Sequence, residues 1–212
     1  MTFYEYITED KLLYNAYLYL LNNNKGVNNY YHNNTHIIDV AKTCYDLAVE
    51  SNIASNYIRV LVMAALFHDF NHCGNKSVTD DVNIKEAIKE LRIFLNIEKN
   101  IFQYDYAPYV EFLIESTEFP HKNTSDLNID SFFVPLISII RDADMSQILK
   151  NNWVEMCIYN LSKEWEQPLK EYLTNEISFI NNLHFNSVIL QADFDNKKPM
   201  LIKICQNILK YV

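Results

Sequence analysis

The stretch of sequence that decides the fold is Asn56-Tyr-Ile-Arg-Val-Leu-Val-Met-Ala-Ala-Leu-Phe-His-Asp-Phe70. Its apolar residues follow one another without leaving a polar face, which is typical of a helix buried on every side. The stretch ends in two ionisable residues, His68 and Asp69. Burying such groups is unfavourable unless they are paired or bound to a metal. The sequence therefore predicts a central helix that ends in either a buried His–Asp pair or a metal site.

The composition on either side of this stretch favours more helices. The chain has 212 residues, of which only 2 are glycine and 5 are proline, against a hydrophobic fraction of 49%. So few glycine and proline residues could not form the many turns that the hairpins of an all-β fold require. We predict an all-α protein with a single compact helical-bundle domain over residues 1–212. Apolar periodicity places further helices at about 8–21, 34–50, 83–95, 109–116, 132–148, 153–161, 169–183 and 200–209.

The net charge of the chain argues against some classes of binding partner. A formal net charge of −9 opposes binding to a nucleic-acid polymer, which depends on Lys and Arg. A small anionic substrate is compatible with this charge only if metal cations reverse the local field. The acidic N-terminus does not resemble a signal peptide, the longest apolar run is too short for a membrane span, and the four cysteines are far apart. We expect a cytoplasmic protein with reduced thiols and no membrane partner; the oligomeric state is open.

Four histidines form two pairs with a spacing of four residues, His32 with His36 and His68 with His72. Residues four apart share a helix face, so each pair could direct two imidazoles at a common point, as metal chelation requires. The alternative for His32 and His36 is a capping histidine followed by a core histidine. For His68 and Asp69, the alternative is a buried hydrogen bond.

A second apolar segment, from Phe132, also ends in acids, at Asp142 and Asp144. Asp144 follows Ile137 and Ile140 at seven and four residues, so helical phase assigns it to the apolar face and Asp142 to another side. Together the inward candidates form a mixed nitrogen and oxygen ligand set suited to Zn, Mn, Fe or Mg. These candidates are His36, His68, Asp69 and Asp144.

Four motifs in this region occur in an order that resembles the class I cyclic nucleotide phosphodiesterases, which belong to the HD superfamily. The motifs are Tyr31-His-Asn-Asn-Thr-His36, Phe67-His-Asp-Phe-Asn-His72, Ser116-Thr-Glu-Phe-Pro-His121 and Ala143-Asp-Met-Ser146. They cover a core of about residues 31–147. The resemblance implies a phosphodiesterase-like HD-domain bundle and a metal-dependent phosphohydrolase.

The resemblance also implies roles for individual residues. His36, His68, Asp69 and Asp144 would hold a first metal ion, Zn, Mn or Fe, and Asp69 would bridge to a second ion, Mg or Mn. His72 would hold a water on the second ion. A hydroxide between the ions would be the nucleophile and His32 the general acid. Thr117 and His121 would orient water or ligands.

Some positions depart from the family pattern. Cys73 stands where the family usually has proline, and Glu118 where it usually has aspartate. The family's active-site glutamate has no certain counterpart, with Asn83 and Glu86 both arguable. Gln191 and Phe194 have the spacing of the family's purine-binding glutamine and phenylalanine, although the simpler alternative, a solvated helix residue, is favoured for Gln191.

These observations lead to a ranked set of expected functions. The first is hydrolysis of a phosphodiester, with a 3′,5′-cyclic nucleotide converted to the nucleoside monophosphate as the best candidate. Next comes another HD-type hydrolase of a nucleotide or small phosphate ester. A di-iron HD oxygenase and a non-catalytic, metal-stabilised binding protein follow.

Overall fold

The computed structural model describes residues 1–98, 106–122 and 131–212. In these residues it contains ten α-helices and no β-strand, which confirms the all-α prediction. The helices are α1 (Phe3–Glu9), α2 (Lys11–Asn23), α3 (Asn34–Glu50), α4 (Ser55–Phe67), α5 (Asp80–Ile97), α6 (Ala107–Glu115), α7 (Val134–Met145), α8 (Leu161–Glu164), α9 (Leu169–Asn182) and α10 (Val188–Leu209). Short 3-10 helices lie at Lys25–Asn28, Ser131–Phe133 and Ser146–Leu149, and a π-helix at Val154–Asn160.

Helix α4 is the central helix that its sequence predicts. Its residues from Val60 to Phe67 are all buried, and it packs against α2, α3, α6 and α7. It ends three residues earlier than predicted, because the chain turns after Phe67. In this turn Asn71 adopts the left-handed backbone conformation, with a φ of 60°. Asn71 is held there by its side-chain oxygen, which accepts a hydrogen bond of 2.8 Å from Lys25 N, and by its own N–H, which donates to Asn24 Oδ1 at 2.8 Å.

The first predicted helix, at about 8–21, corresponds to α2, which begins at Lys11 because the Asp10 carboxylate caps it by accepting from Leu12 N and Leu13 N. Helix α1, which precedes it, was not predicted. One predicted boundary was wrong. The last helix begins at Val188 rather than near residue 200, and continues through Pro199. Proline removes one hydrogen bond from a helix, but Phe194 and Leu201 are buried on either side and hold α10 against the core.

The buried apolar residues form two clusters. The first joins α1 to α7, and the second joins the π-helix, α9 and α10 to Tyr31 and Ile148. Leu190 packs against both clusters. The prediction of one domain over residues 1–212 stays a prediction.

Two further observations concern the chain as a whole. Across residues 1–98, 106–122 and 131–212, no helix has both the length and the apolar character that a bilayer crossing requires. All four cysteines are free thiols, and three of them, Cys44, Cys157 and Cys205, are buried.

Candidate metal centre and cavity

Four side chains from three parts of the chain converge at one point. His36 lies in the first turn of α3, His68 and Asp69 lie in the turn after α4, and Asp144 lies near the end of α7. His36 Nε2 is 3.2 Å from Asp69 Oδ2 and 3.2 Å from Asp144 Oδ1. His68 Nε2 is 3.2 Å and 3.6 Å from the same two oxygens. One ligand atom from each residue lies within 4.8 Å of all the others.

The hydrogen bonding of these side chains fits a cation. His36 Nε2 and His68 Nε2 are fully buried, and among the described residues neither atom has a hydrogen-bond partner of suitable geometry. His68 Nδ1 lies 2.8 Å from Ala65 O, and because a carbonyl only accepts, this nitrogen carries the proton. Nε2 of His68 is therefore the nitrogen that faces the two acids, and a cation would bind it in place of a proton. Such a second hydrogen bond is the usual way in which a ligating histidine is oriented.

The charges of the group are strongly coupled. Burial alone would lower the pKa values of His36 and His68, but the carboxylates of Asp69 and Asp144 outweigh it and raise both. Burial likewise opposes ionisation of the two acids, and the neighbouring imidazoles nevertheless hold the pKa values of Asp69 and Asp144 well below the usual range. The group therefore favours two carboxylates and positive charge between them, which a divalent cation would also supply.

A second group, formed by His32, His72 and Glu164, adjoins the first. The His32 ring lies stacked on the His72 ring, and its centroid is 5.7 Å from that of His36. Glu164, at the end of α8, binds the His32 Nδ1 atom through one carboxylate oxygen. Its other oxygen accepts from Tyr31 N at 2.6 Å and from His32 N at 3.0 Å. Burial raises the pKa of Glu164, but these partners outweigh it and lower the pKa overall.

Asn29 and Gly74 hold the backbone on which this second group depends. The Asn29 side-chain amide donates to His32 O at 3.1 Å and to His72 O at 2.8 Å. Gly74 has a left-handed φ of 66°, and its N–H donates to His72 Nδ1 at 3.1 Å. A Cβ at Gly74 would lie 3.0 Å from Asn29 Oδ1, so a larger residue would displace the amide that joins the two histidines.

Each histidine pair that the sequence predicted is divided between the two groups. Helix α3 begins at Asn34 and α4 ends at Phe67, so His32 and His72 both lie in loops. The argument that each pair shares one helix face is therefore wrong. Instead, His36 and His68 meet in one group, and their partners four residues away meet in the other.

No protein-family model matches the chain, and a search of the curated proteins finds no match. What the geometry establishes is a helical protein with a His and Asp group positioned to bind a metal ion.

Both groups form part of the wall of one cavity of about 460 Å³. This volume is within the range of sites for small ligands. Polar lining residues include His32, Asp69, His72, Asp80, Asn83, Thr117, Asp144, Gln167, Asn175 and Glu176. Apolar and aromatic residues from both buried clusters complete the wall.

Two of the predicted supporting residues, Asn83 and Thr117, face this cavity. The Asn83 side-chain amide lies 3.0 Å from His72 Nε2, and its oxygen accepts from Cys73 N at 3.2 Å. The buried Thr117 hydroxyl donates to Ile114 O at 2.8 Å. Glu86, the other arguable counterpart of the family's glutamate, is instead paired with Lys89 and is not among the residues that line the cavity.

Sequence reasoning missed Asp80, an acid in the cavity wall. Asp80 begins α5, and its Oδ2 accepts from Phe119 N at 2.7 Å. Burial raises its pKa, the Phe119 N–H partly offsets this, and the nearby charges of Asp69 and Asp144 raise it again. In the sequence, Asp80 was indistinguishable from an ordinary acid in the first turn of a helix.

His121 lies outside both His/Asp/Glu groups and is not among the residues that line the cavity. Burial and the charge of Arg141 lower its pKa to about 4. Its assignment as an orienting residue stays a prediction.

Asp142 is more buried than the phase argument implied. Its side chain is 3% exposed and accepts hydrogen bonds from the Asn186 and Ser187 backbone N–H groups, at 3.0 and 2.6 Å. It therefore fixes the loop before α10, whereas Asp144 reaches the metal group. Helical phase separated the two acids correctly by direction, but it did not reveal that Asp142 is buried against another segment.

The structure does not bring Gln191 and Phe194 to the cavity. The Gln191 amide oxygen accepts from Phe185 N at 2.7 Å, and its nitrogen donates to Asp195 at 2.7 Å. Phe194 is fully buried in the second cluster, against Phe185. Both side chains are engaged in holding α10 in place, and their assignment to purine binding stays a prediction.

Proposed function

We propose that this protein is an HD-type metal-dependent phosphohydrolase that cleaves a phosphodiester, with a 3′,5′-cyclic nucleotide as the best candidate substrate. The observation that carries the proposal is a single cavity wall in which a His/Asp group suited to a cation adjoins an imidazole held by a buried carboxylate. The first feature is what phosphate activation requires, and the second is what protonation of a leaving group requires.

The four residues His36, His68, Asp69 and Asp144 would hold the first ion, Zn, Mn or Fe. Asp69 also faces the cavity and would bridge to a second ion, Mg or Mn, whose waters His72 and Asp80 would bind. When bound, paired divalent ions lower the pKa of a coordinated water to near 7 and neutralise phosphoryl charge. This charge is needed, because the cavity wall carries several acids and only one lysine, Lys76.

His32 would act as the general acid. Its Nδ1 is occupied by Glu164, so Nε2 is the nitrogen that remains to donate a proton to the departing alkoxide. Glu164 fixes the direction of the ring through this contact, as a carboxylate does for the histidine of many hydrolases. Glu164 would therefore be a positioning residue.

A panel of substrates tests the proposal. Protein supplied with Mn or Mg should hydrolyse bis(4-nitrophenyl) phosphate and one or more 3′,5′-cyclic nucleotides, and a chelator should abolish both activities. Protein that hydrolyses neither ester, with any of Mn, Mg, Zn or Fe added, would contradict the proposal.

One observation favours a second candidate, a di-iron oxygenase. Ligand atoms of His32, His72 and Glu164 also lie within 4.8 Å of one another and could bind a second ion directly. Against this, Glu164 is already bonded to the His32 ring and to two backbone N–H groups, and Gly74 N donates to His72. Two tightly bound iron ions per chain, with no esterase activity, would support the oxygenase.

A further inference from the structure

One lysine, Lys76, lies in the wall of the otherwise acidic cavity. Among the described lining residues it is the only one that carries an ammonium or guanidinium group. No carboxylate in the described part of the chain forms an ion pair with it. The described residues therefore leave its positive charge uncompensated. The acids of the same wall are Asp69, Asp80, Asp144 and Glu176.

The ammonium group of Lys76 is held in a defined place. Lys76 stands at the corner of a turn in which Val78 N donates to Asn75 O at 3.1 Å. Ser77 N donates to Asn75 Oδ1 at 2.8 Å and tightens the same turn. Lys76 Nζ donates to Gln167 Oε1 at 2.7 Å. This bond uses one of the three N–H groups of the ammonium, so two donors remain.

The partners of Lys76 hold its charge without neutralising it. Gln167 Nε2 donates to Glu171 Oε1 at 2.8 Å, which directs the amide oxygen of Gln167 toward the lysine. Lys76 Nζ also lies 5.5 Å from the centroid of the Trp165 ring, within the range of a cation–π contact. Trp165 and Gln167 both line the cavity. The wall thus presents a fixed cation on a neutral, partly aromatic support.

This part of the wall adjoins the proposed general acid. His72, which stacks on His32, precedes Lys76 by four residues. Trp165 directly follows Glu164, which binds the His32 ring. A general acid must lie within reach of the oxygen that it protonates, so the leaving alcohol would lie on the His32 side of the phosphoryl group. Lys76 would therefore face the leaving alcohol, and the His/Asp group the phosphoryl group.

We propose that Lys76 binds a second anionic group, a phosphate or a carboxylate, on the leaving alcohol of the substrate. The proposal rests on the proposed function, since it names a class of phosphate ester for the same site. The acids of the wall would repel a second anion that met no cation. A lysine ammonium is a compact charge with rotatable donors, so it suits both kinds of anion. Esters with a further anionic group are then preferred to esters whose only charge is the reacting phosphate.

Calorimetry on the full-length, Mn-loaded protein tests this assignment without hydrolysis. The probes are alkyl monophosphates of increasing chain length, whose far end is a methyl group, a carboxylate or a second phosphate. At one or more chain lengths, the wild type should bind an anionic compound roughly five- to tenfold more tightly than its methyl counterpart. Lys76→Met should lose this preference and Lys76→Arg should keep most of it. The carboxylate and phosphate series show which anion is favoured.

Lys163→Met is the matched control. Lys163 is also an exposed lysine over an aromatic ring, 4.0 Å from the Tyr30 centroid, but it does not line the cavity. Thermal melting would establish that each variant is folded, and Lys76→Gln replaces Lys76→Met if the latter unfolds. Three results would overturn the assignment: no preference in the wild type at any chain length, an unchanged preference in Lys76→Met, or an equal loss in Lys163→Met.

Hydrolysis of bis(4-nitrophenyl) phosphate reports on the proposed function independently, because neither of its nitrophenol groups carries a second anion. Protein that hydrolyses this ester but shows no preference among the alkyl phosphates would refute the role of Lys76 alone.

Discussion

The rings of His32 and His72 are stacked, with centroids 3.8 Å apart and planes 23° from parallel. Two cationic rings could not be held in this way without strong repulsion. Burial and the proximity of His32 lower the pKa of His72 to about 4, so His72 is neutral at neutral pH. Glu164 binds only the His32 side of the stack. Glu164 therefore contacts His32, the residue proposed as the acid, and leaves His72 as the neutral ring of the stack.

Removing the proposed acid should impair turnover without removing the metal. His32→Ala should retain its metal content and fold, and should lose roughly 10²- to 10⁴-fold in turnover on an alkyl phosphodiester. A 4-nitrophenyl ester should suffer a much smaller loss, because its leaving group needs no proton. Metal analysis and kinetics on both esters give the answer. Loss of metal, or equal impairment on the two esters, would show that His32 has another role.

Glu164→Gln should reproduce part of this effect, since a neutral amide is a weaker hydrogen-bond partner than a carboxylate and orients the His32 ring less firmly. We expect a smaller fall in turnover on the alkyl ester than for His32→Ala, again with less effect on the nitrophenyl ester. Glu155→Gln provides the control for removal of one negative charge at an exposed position. A Glu164 variant that keeps full activity on both esters would exclude its positioning role.

Substitution of the two acids of α7 should affect different properties, metal binding for Asp144 and stability for Asp142. Asp144→Asn should lose tightly bound metal, because Asp144 Oδ1 lies beside both ligand nitrogens. Asp142→Asn should retain metal but unfold more readily by about 1 to 3 kcal/mol, since a carboxamide nitrogen cannot accept from Ser187 N or Asn186 N. Elemental analysis and urea unfolding separate the two effects. Similar metal loss in both variants would refute the distinction between these acids.

Chelation should destabilise the whole protein. A ligand at one hundred times its dissociation constant stabilises the folded state by about 2.7 kcal/mol. For a chain of this size, removing it should lower the Tm by roughly 5 to 10 °C. Differential scanning calorimetry before and after chelation measures this shift, and Asp144→Asn serves as the control that should not respond. An unchanged Tm in the wild type would mean that no metal links α3, α4 and α7.

Neutralising Glu176 should stabilise the protein at high pH only. Its pKa is raised by burial from 4.5 to about 7, so the folded state favours the protonated form. Below pH 4.5 both folded and unfolded states are protonated and no penalty arises; above pH 7 the penalty reaches about 3 kcal/mol. Glu176→Gln should therefore be more stable than the wild type at pH 8, and most of that difference should disappear at pH 5. Urea unfolding at both pH values measures this difference, and Glu155→Gln serves as the control. A stability difference between Glu176→Gln and the wild type that is the same at pH 5 and pH 8 would contradict the prediction.

The sequence was most informative where the local pattern decides the structure. The unbroken apolar run predicted α4, and the ionisable residues that follow it predicted the group to which the buried His68 and the half-buried Asp69 belong. Helical phase selected Asp144 because a helix fixes the direction of a side chain relative to its neighbours three and four residues away. These inferences need no knowledge of distant contacts.

Long-range partners could not be inferred in this way. Glu164 meets His32 across 132 residues, and until the cavity is known Glu176 is simply one of two glutamates in an amphipathic helix. Gln191 and Phe194 show the limit of a spacing, since neither of them lines the cavity. The loop that carries His72 was also hidden, because the left-handed residue Asn71 is not glycine.

The late position of Glu164 in the chain means that its contact with the Tyr31–His32 backbone forms only after the other site residues have been synthesised. A ribosome completes the His36, His68, Asp69 and Asp144 set twenty residues before it adds Glu164. The nascent chain thus holds every side chain of the cation group before it holds the carboxylate that orients His32. Premature termination between these points would leave a chain with all four ligands and without the anchor of its proton donor.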